Sequence, residues 1–207
     1  MKQLRPAIVL TILFIVFTGL GFPAVMYGIG RIFPHQAEGS LIRNAQGVVV
    51  GSELIGQNFT KPEYFHPRPS AAGSGYDANN SGGTNLGPTS DKLINGVHKK
   101  LPNGKDDPSN QDGIVDRVKA YRTENGLAAD ALVPADAVTS SASGLDPAIS
   151  PENANLQADR VAKARHRPVD EIKKLIDANT DARFIGIFGD PAVNVLKLNV
   201  ALDSAKP

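Results

Sequence analysis

The sequence predicts an α+β fold, with one N-terminal transmembrane helix followed by a single mixed α+β extracytoplasmic domain. Three observations predict it. Residues 6–30 carry no charge, apolar residues recur at helical spacing in the second half of the chain, and short strand-like runs lie around them. The expected division is a cytoplasmic tail over residues 1–6, a transmembrane helix over 7–31 and an extracytoplasmic domain over 32–207.

The uncharged run is 25 residues long, lying between Arg5 and Arg31. At the helical rise it spans roughly 37 Å, more than a hydrocarbon core of about 30 Å. Twelve of the twenty residues from Ala7 to Met26 are Leu, Ile, Val or Phe. They contribute roughly 5 kcal/mol to insertion before the cost of Gly19, Gly21 and Pro23. A cleaved signal peptide has an apolar core of about 7–15 residues and an A-x-A-like exit, which Pro23-Ala24-Val25-Met26-Tyr27 does not supply. The first five turns also lack the polar face that a core helix turns to solvent. Lys2, Arg5 and the amino terminus precede the span and Arg31 follows it, so the positive-inside rule puts the N-terminus in the cytoplasm. The protein is then single-pass in the cell (inner) membrane.

The 176 residues after Arg31 suffice for one domain with a real core. With Lys2, Arg5 and Arg31 set aside from the 22 basic residues, 19 remain against 21 acidic ones, a net charge of −2. That balance gives no electrostatic case for nucleic acid. Cysteine is absent, which excludes disulfides, thiolate metal sites and cysteine nucleophiles.

Leu41-Ile42 and Val48-Val49-Val50 flank a turn ending in Gly47, a hairpin pattern. Pro62, Pro67 and Pro69 make residues 57–88 loop-dominated. A short helix fits Asp91 to Lys99, and Leu101 to Asn110 is a polar excursion. Ile114, Val118 and Tyr121 predict a helix over Asp112 to Glu124. Ser150-Pro151-Glu152 supplies an N-cap, a first-turn proline and an acidic first turn, opening a helix to about Arg165. Pro168 restarts a second helix, with Val169, Ile172, Leu175 and Ile176 on one face. Phe184 to Phe188 precedes the turn Gly189-Asp190-Pro191. Leu196, Leu198, Val200 and Leu202 then alternate with polar residues, predicting an antiparallel strand pair.

No catalytic centre is legible. Pro108 to Gly113 resembles a calcium loop but has Pro at its first ligand position and Lys119 where a Glu belongs. The four histidines are scattered, without metal-ligand spacing. A serine hydrolase using Ser74, Ser141 or Ser143 would need a base that the spacing does not supply. Two segments stand out by composition instead, Ala78 to Pro88 and Val138 to Pro147, dense in carboxamides, hydroxyls, Gly and Pro. Such residues serve turn structure, and they also build surfaces on which exposed polar groups meet a partner. The partner-contact candidates are Asn79, Asn80, Ser81, Gly82, Gly83, Asn85, Gly87, Ser141, Ser143, Gly144 and Asp146.

Several stretches carry a family resemblance: Gly39 to Ile42, Gly51 to Gln57, Tyr64 to Ser70, the two polar segments, Ile149 to Ala154, Arg160 to Arg165, and Asn194 to Asn199. In these the chain resembles the C subunits of the Kdp complex, a high-affinity potassium-transporting P-type ATPase. Lys99 to Ile114 departs as a longer polar excursion. The resemblance implies a single-span, non-catalytic accessory subunit in the lipid bilayer. Its partners would be a potassium-binding channel-like subunit and an ATP-hydrolysing P-type subunit. ATP and potassium then act at the level of the complex, with no cofactor, metal or catalytic residue assigned to this chain. The spacing of Ala24 and Gly28 lets a partner helix approach the span closely. The family is also described as a catalytic chaperone that raises the ATP affinity of the hydrolytic subunit. Ser81-Gly82-Gly83 resembles an ABC-signature core, with Asn80 in place of Leu and Thr84 in place of Gln. A direct ATP-binding regulator is therefore the alternative, and it requires the domain to be cytoplasmic or mobile.

Overall fold

The computed structural model describes residues 3–205, so Met1 and Lys2, the latter used in the orientation argument, lie outside the described residues. The chain divides after Leu41 into two compact units.

The first unit is dominated by one continuous helix, Leu4–Gly30, of 27 residues. Its parts are α1 (Leu4–Val16), a π-helical turn (Phe17–Gly21) and α2 (Phe22–Gly30). Pro23 has no N–H to give the preceding turn, and the wider π turn sits where that rung would be missing. The Thr18 hydroxyl donates to the Phe14 carbonyl at 2.7 Å, so its polar group is satisfied within the helix. A short helix, α3 (Pro34–Ala37), follows.

Next in the chain the predicted hairpin is present as β1 (Leu41–Arg43) and β2 (Val49–Ser52). Asn44 Oδ1 accepts from the backbone of Gln46 and Val48, and Gly47 takes the positive φ of 77° that closes the turn. Residues 57–88 are loop-dominated, as their prolines require, with one 3-10 turn at Ala78–Asn80. The predicted helices follow as α4 (Asp91–Ile94), shorter than expected, and α5 (Ile114–Glu124). Between them the polar excursion folds back as an antiparallel finger with bridges Val97–Gln111 and Lys100–Asp106. Next come α6 (Ala135–Val138), β3 (Ala148–Ile149), α7 (Pro151–Arg165) and α8 (Val169–Ala178). The Ser150 side chain accepts from Asn153 N as the predicted cap, and His166 ends α7 in the left-handed region at φ 54°.

The final run corrects the expectation of a strand. β4 (Thr180–Asp181) and β5 (Ala192–Asn194) are strands, but Val195–Ser204 is a helix, α9. The buried residues Val195, Leu196, Leu198, Asn199 and Leu202 fall at i, i+1, i+3, i+4 and i+7, one helical face. The alternation of Leu196, Leu198, Val200 and Leu202 is compatible with either period. Asn194 decides the outcome: its side chain accepts from Lys197 N at 3.0 Å and starts the helix. The antiparallel sheet has order β3-β5-β4, with Val193 facing Ile149 on one side and Thr180 on the other.

The main core joins α7, α8 and α9. Ala154, Ala158, Val161 and Ala162 of α7 meet Ile172, Ile176, Val193, Leu198 and Leu202, all essentially buried. The small alanines let the neighbouring elements approach closely. Phe65, from the proline-rich loop, is also fully buried in this core. Asn199 holds it there: Phe65 N donates to Asn199 Oδ1 at 2.9 Å, and Asn199 Nδ2 donates to Phe65 O at 3.0 Å. Asn199→Leu leaves both backbone groups buried and unpaired, a loss of about 2–4 kcal/mol. Urea denaturation of the full chain in detergent micelles is expected to show that loss as a lower midpoint.

Candidate functional site

The two polar segments, 60 positions apart in the chain, are built into one surface. Gly82 N donates to Ser143 O at 2.8 Å and Ser81 Oγ donates to the same oxygen at 3.0 Å. Their closeness rests on glycine. A Cβ on Gly83 would lie 3.0 Å from Ala142 O, and one on Gly144 would lie 2.6 Å from Gly82 O. Gly144 also has φ 67°, a conformation side chains disfavour.

The side chains of Ser70, Arg68, Asp146 and Tyr76 tie this joint to the rest of the domain. Ser70 Oγ donates to Gly144 O at 2.7 Å and accepts from Ala72 N and Tyr76 N. Arg68 pairs with Asp146 at 2.8 Å, while Asp146 Oδ1 accepts from Ala148 N at the start of β3. Tyr76 OH donates to Arg68 O at 2.8 Å; burial, with Asp146 nearby, raises its pKa above the ordinary tyrosine range.

The predicted contact residues separate by this geometry. Gly82, Gly83, Ser141, Gly144 and Asp146 are buried or half-buried and make the joint. Asn79, Asn80, Ser81, Asn85, Gly87 and Ser143 are exposed along it. Asp77 stiffens that edge by accepting from Asn79 N at 2.9 Å and Asn80 Nδ2 at 2.6 Å, bonds that hold its carboxyl below its ordinary pKa. In the span, Ala24 and Gly28 lie one turn apart on α2 and are exposed, with open space where a Gly28 Cβ would stand.

Beside the joint lies a cavity of about 500 Å³, lined in part by His66, Arg68, Ser70, Ser74, Glu124 and Gln157. His66 Nδ1 lies 2.7 Å from Glu124 Oε1 and His66 Nε2 lies 2.9 Å from Lys61 O. With both ring nitrogens engaged, His66 is not offered as a base to Ser74. Ser141 and Ser143 hydroxyls accept from the backbone of Gly144 and Leu145, turn-building roles. Among the described residues no group of three or more His, Asp or Glu is placed to hold a metal ion.

Sequence reasoning missed the polar residues behind this cavity. Asn153, Gln157 and Arg160 recur at i, i+4 and i+7 along α7, a polar stripe at helical spacing that was the available signal. Tyr121 OH donates to Asn153 Oδ1 at 2.8 Å, and Asn153 Nδ2 donates to Asp136 Oδ2 at 3.0 Å. Gln157 Nε2 donates to His66 O and to Asn153 Oδ1, and Arg160 Nη2 donates to Gln157 Oε1. Burial raises the Tyr121 pKa, with Asp136 adding to it, and desolvation lowers that of Arg160.

Together these features describe a class of protein: a chain with one membrane-spanning helix and an α+β domain that presents a braced polar loop surface. The family model described as "KdpC: K+-transporting ATPase, c chain" matches residues 4–204. A Potassium-transporting ATPase KdpC subunit of Mycobacterium bovis (strain BCG / Pasteur 1173P2) is 50% identical over 203 residues, 98% of each chain. One from Caulobacter vibrioides (strain NA1000 / CB15N) is 50% identical over 209 residues, covering 100% of this chain and 95% of the relative. Another, from Caulobacter sp. (strain K31), is 47% identical over 208 residues, 100% of this chain and 96% of the relative. The chain belongs to the KdpC family of potassium-transporting ATPase subunits, as the resemblance implied. It is a membrane-located subunit of a potassium-transport ATPase complex.

Two outcomes test the site's construction. Gly144→Ala places a Cβ against Gly82 O at an unfavourable φ, and a loss of about 1–3 kcal/mol is expected in thermal unfolding. Glu124 is held below its ordinary value of 4.5 chiefly by its hydrogen bond to His66. A depressed carboxylate stabilises the fold above that ordinary value and loses the contribution as pH falls through its lowered one. Glu124→Gln is therefore expected to flatten the acid limb of the stability–pH curve below about pH 4.5, read by urea midpoints.

Proposed function

We propose that this chain is a non-catalytic accessory subunit whose domain lies outside the cytoplasm. There it docks through the joined loop surface onto the potassium-binding, channel-like subunit, over the potassium entrance. It thereby stabilises the complex in which a P-type partner hydrolyses ATP. The single observation that carries this reading is the joint itself. Backbone and glycine contacts fasten the two segments together, which leaves the side chains of Asn79, Asn85 and Ser143 exposed for a partner. Exposed carboxamides and hydroxyls on braced loops suit a polar interface and lose little entropy on docking.

The orientation is supported by Lys2 and Arg5 before the span against Arg31 after it. Ala24 and Gly28, open on the helix surface, support close packing of a partner helix.

Gly87→Arg combined with Asn79→Arg adds bulk and charge at two exposed positions without touching the joint. Partner subunits are expected to co-purify several-fold less with this variant, at an unchanged melting temperature. Full assembly with undiminished potassium uptake would sink the docking role. Orientation is read separately, with a single cysteine at exposed Ser109 and a membrane-impermeant thiol reagent on intact cells. Labelling is the expected result. Labelling only after lysis would put the domain in the cytoplasm and make direct ATP binding the leading function.

A further inference from the structure

The most exposed apolar element of the domain is the tip formed by Phe184-Ile185-Gly186-Ile187-Phe188. Phe184 N donates to Phe188 O at 2.9 Å and Phe188 N to Phe184 O at 3.0 Å, so the five residues close into a tight hairpin. Its four large side chains are 64–71% exposed. The Arg183–Asp190 pair, 2.9 Å apart, closes the base of the tip. Nothing in the turn calls for these residues. Ile185 adopts φ 54°, where a β-branched side chain is disfavoured and Asn or Gly would be at ease. Its apolar character therefore answers to something outside the turn.

We propose that this tip inserts into the surface of the bilayer that the chain's own helix spans, as a second membrane contact of the chain. Two arguments favour lipid over a second copy of the chain. The tip offers on the order of 500 Å² of apolar surface, well short of the roughly 800 Å² per partner of a stable dimer. Leu4–Gly30 already gives this chain a lipid-facing interface, so the domain that carries the tip is covalently tethered to a bilayer. The shape agrees: an uncharged point exposed at all four large side chains is enclosed by acyl chains and headgroups. A flat protein partner covers one side only. The expected depth is about 5–10 Å, the headgroup–acyl boundary. The inference rests on membrane anchoring alone and holds for either orientation of the domain.

The native absence of cysteine makes the test direct. The full chain carrying Ile187→Cys is labelled with an environment-sensitive fluorophore and reconstituted into phosphatidylcholine vesicles. The same chain with Ser109→Cys is the aqueous reference. At position 187, nitroxide lipids are expected to quench emission several-fold more than at 109, and aqueous iodide several-fold less. Equal iodide quenching at both positions overturns the proposal by leaving the tip in water. Protection from both quenchers also overturns it, by showing a protein cover. Ile185→Cys repeats the measurement from the other side of Gly186, so a local effect of one label does not decide the result.

Discussion

Five consecutive carbonyls, from Pro62 to His66, find their donors in side chains instead of in a neighbouring strand, and the domain is organised around that substitution. Arg160 Nη1 donates to Pro62 O and Tyr64 O, Arg165 Nε to Glu63 O, Asn199 Nδ2 to Phe65 O, and Gln157 Nε2 to His66 O. Asn199 and Gln157 also accept from the two amide hydrogens, Phe65 N and His66 N. A proline-rich segment cannot complete a β-ladder, and buried backbone without partners costs several kcal/mol. Helices α7 and α9 supply the partners, and Phe65 can then enter the core between them. The same device recurs in the finger, where Asn110 clamps Lys99 through both its carboxamide atoms.

This arrangement explains what was legible in the sequence. Elements defined by local rules were read correctly: Ser150-Pro151 starts α7, Ile172 and Ile176 mark the buried face of α8, and Gly47 closes the β1–β2 turn. The clamps were not, because the polar stripe of α7 that holds Gln157 does not name its partner, and Asn199 reads as the polar half of an alternation. Their partners lie 91 and 134 residues away, beyond the reach of any local pattern. The error at α9 has the same root. Asn199 falls between Leu198 and Val200 as the polar half of an alternation, whereas its place is inside, on the helical face that holds Phe65. The candidate site was half legible: composition located both polar segments, but the hydrogen bond that joins them is a long-range fact.

The joint also changes the meaning of its glycines. Glycines in a loop rich in Asn and Ser suggest flexibility. Gly83 and Gly144 act here in the opposite sense, since their missing side chains let two backbones come into contact and lock. From Gly144 the bracing continues through Ser70 to the loop that α7 and α9 hold, and through Asp146 to β3. Asp136 reinforces the same region by accepting from Ser150 N, Ser150 Oγ and Asn153 Nδ2 at the start of α7. The joint is thus connected to the core by hydrogen bonds and short stretches of chain between them.

That continuity bears on the docking role proposed for the domain. Binding through a flexible polar loop spends much of its interaction energy on ordering the loop. A loop already fixed to a folded core would bring its carboxamides to a partner in place, so under the proposed role even a modest polar interface would contribute to assembly. Membrane anchoring acts in the same direction, because a tethered domain searches a small volume near its partners. In the proposed docking role the two effects would reinforce one another: the helix would supply local concentration, and the braced joint would lower the ordering cost of the contact.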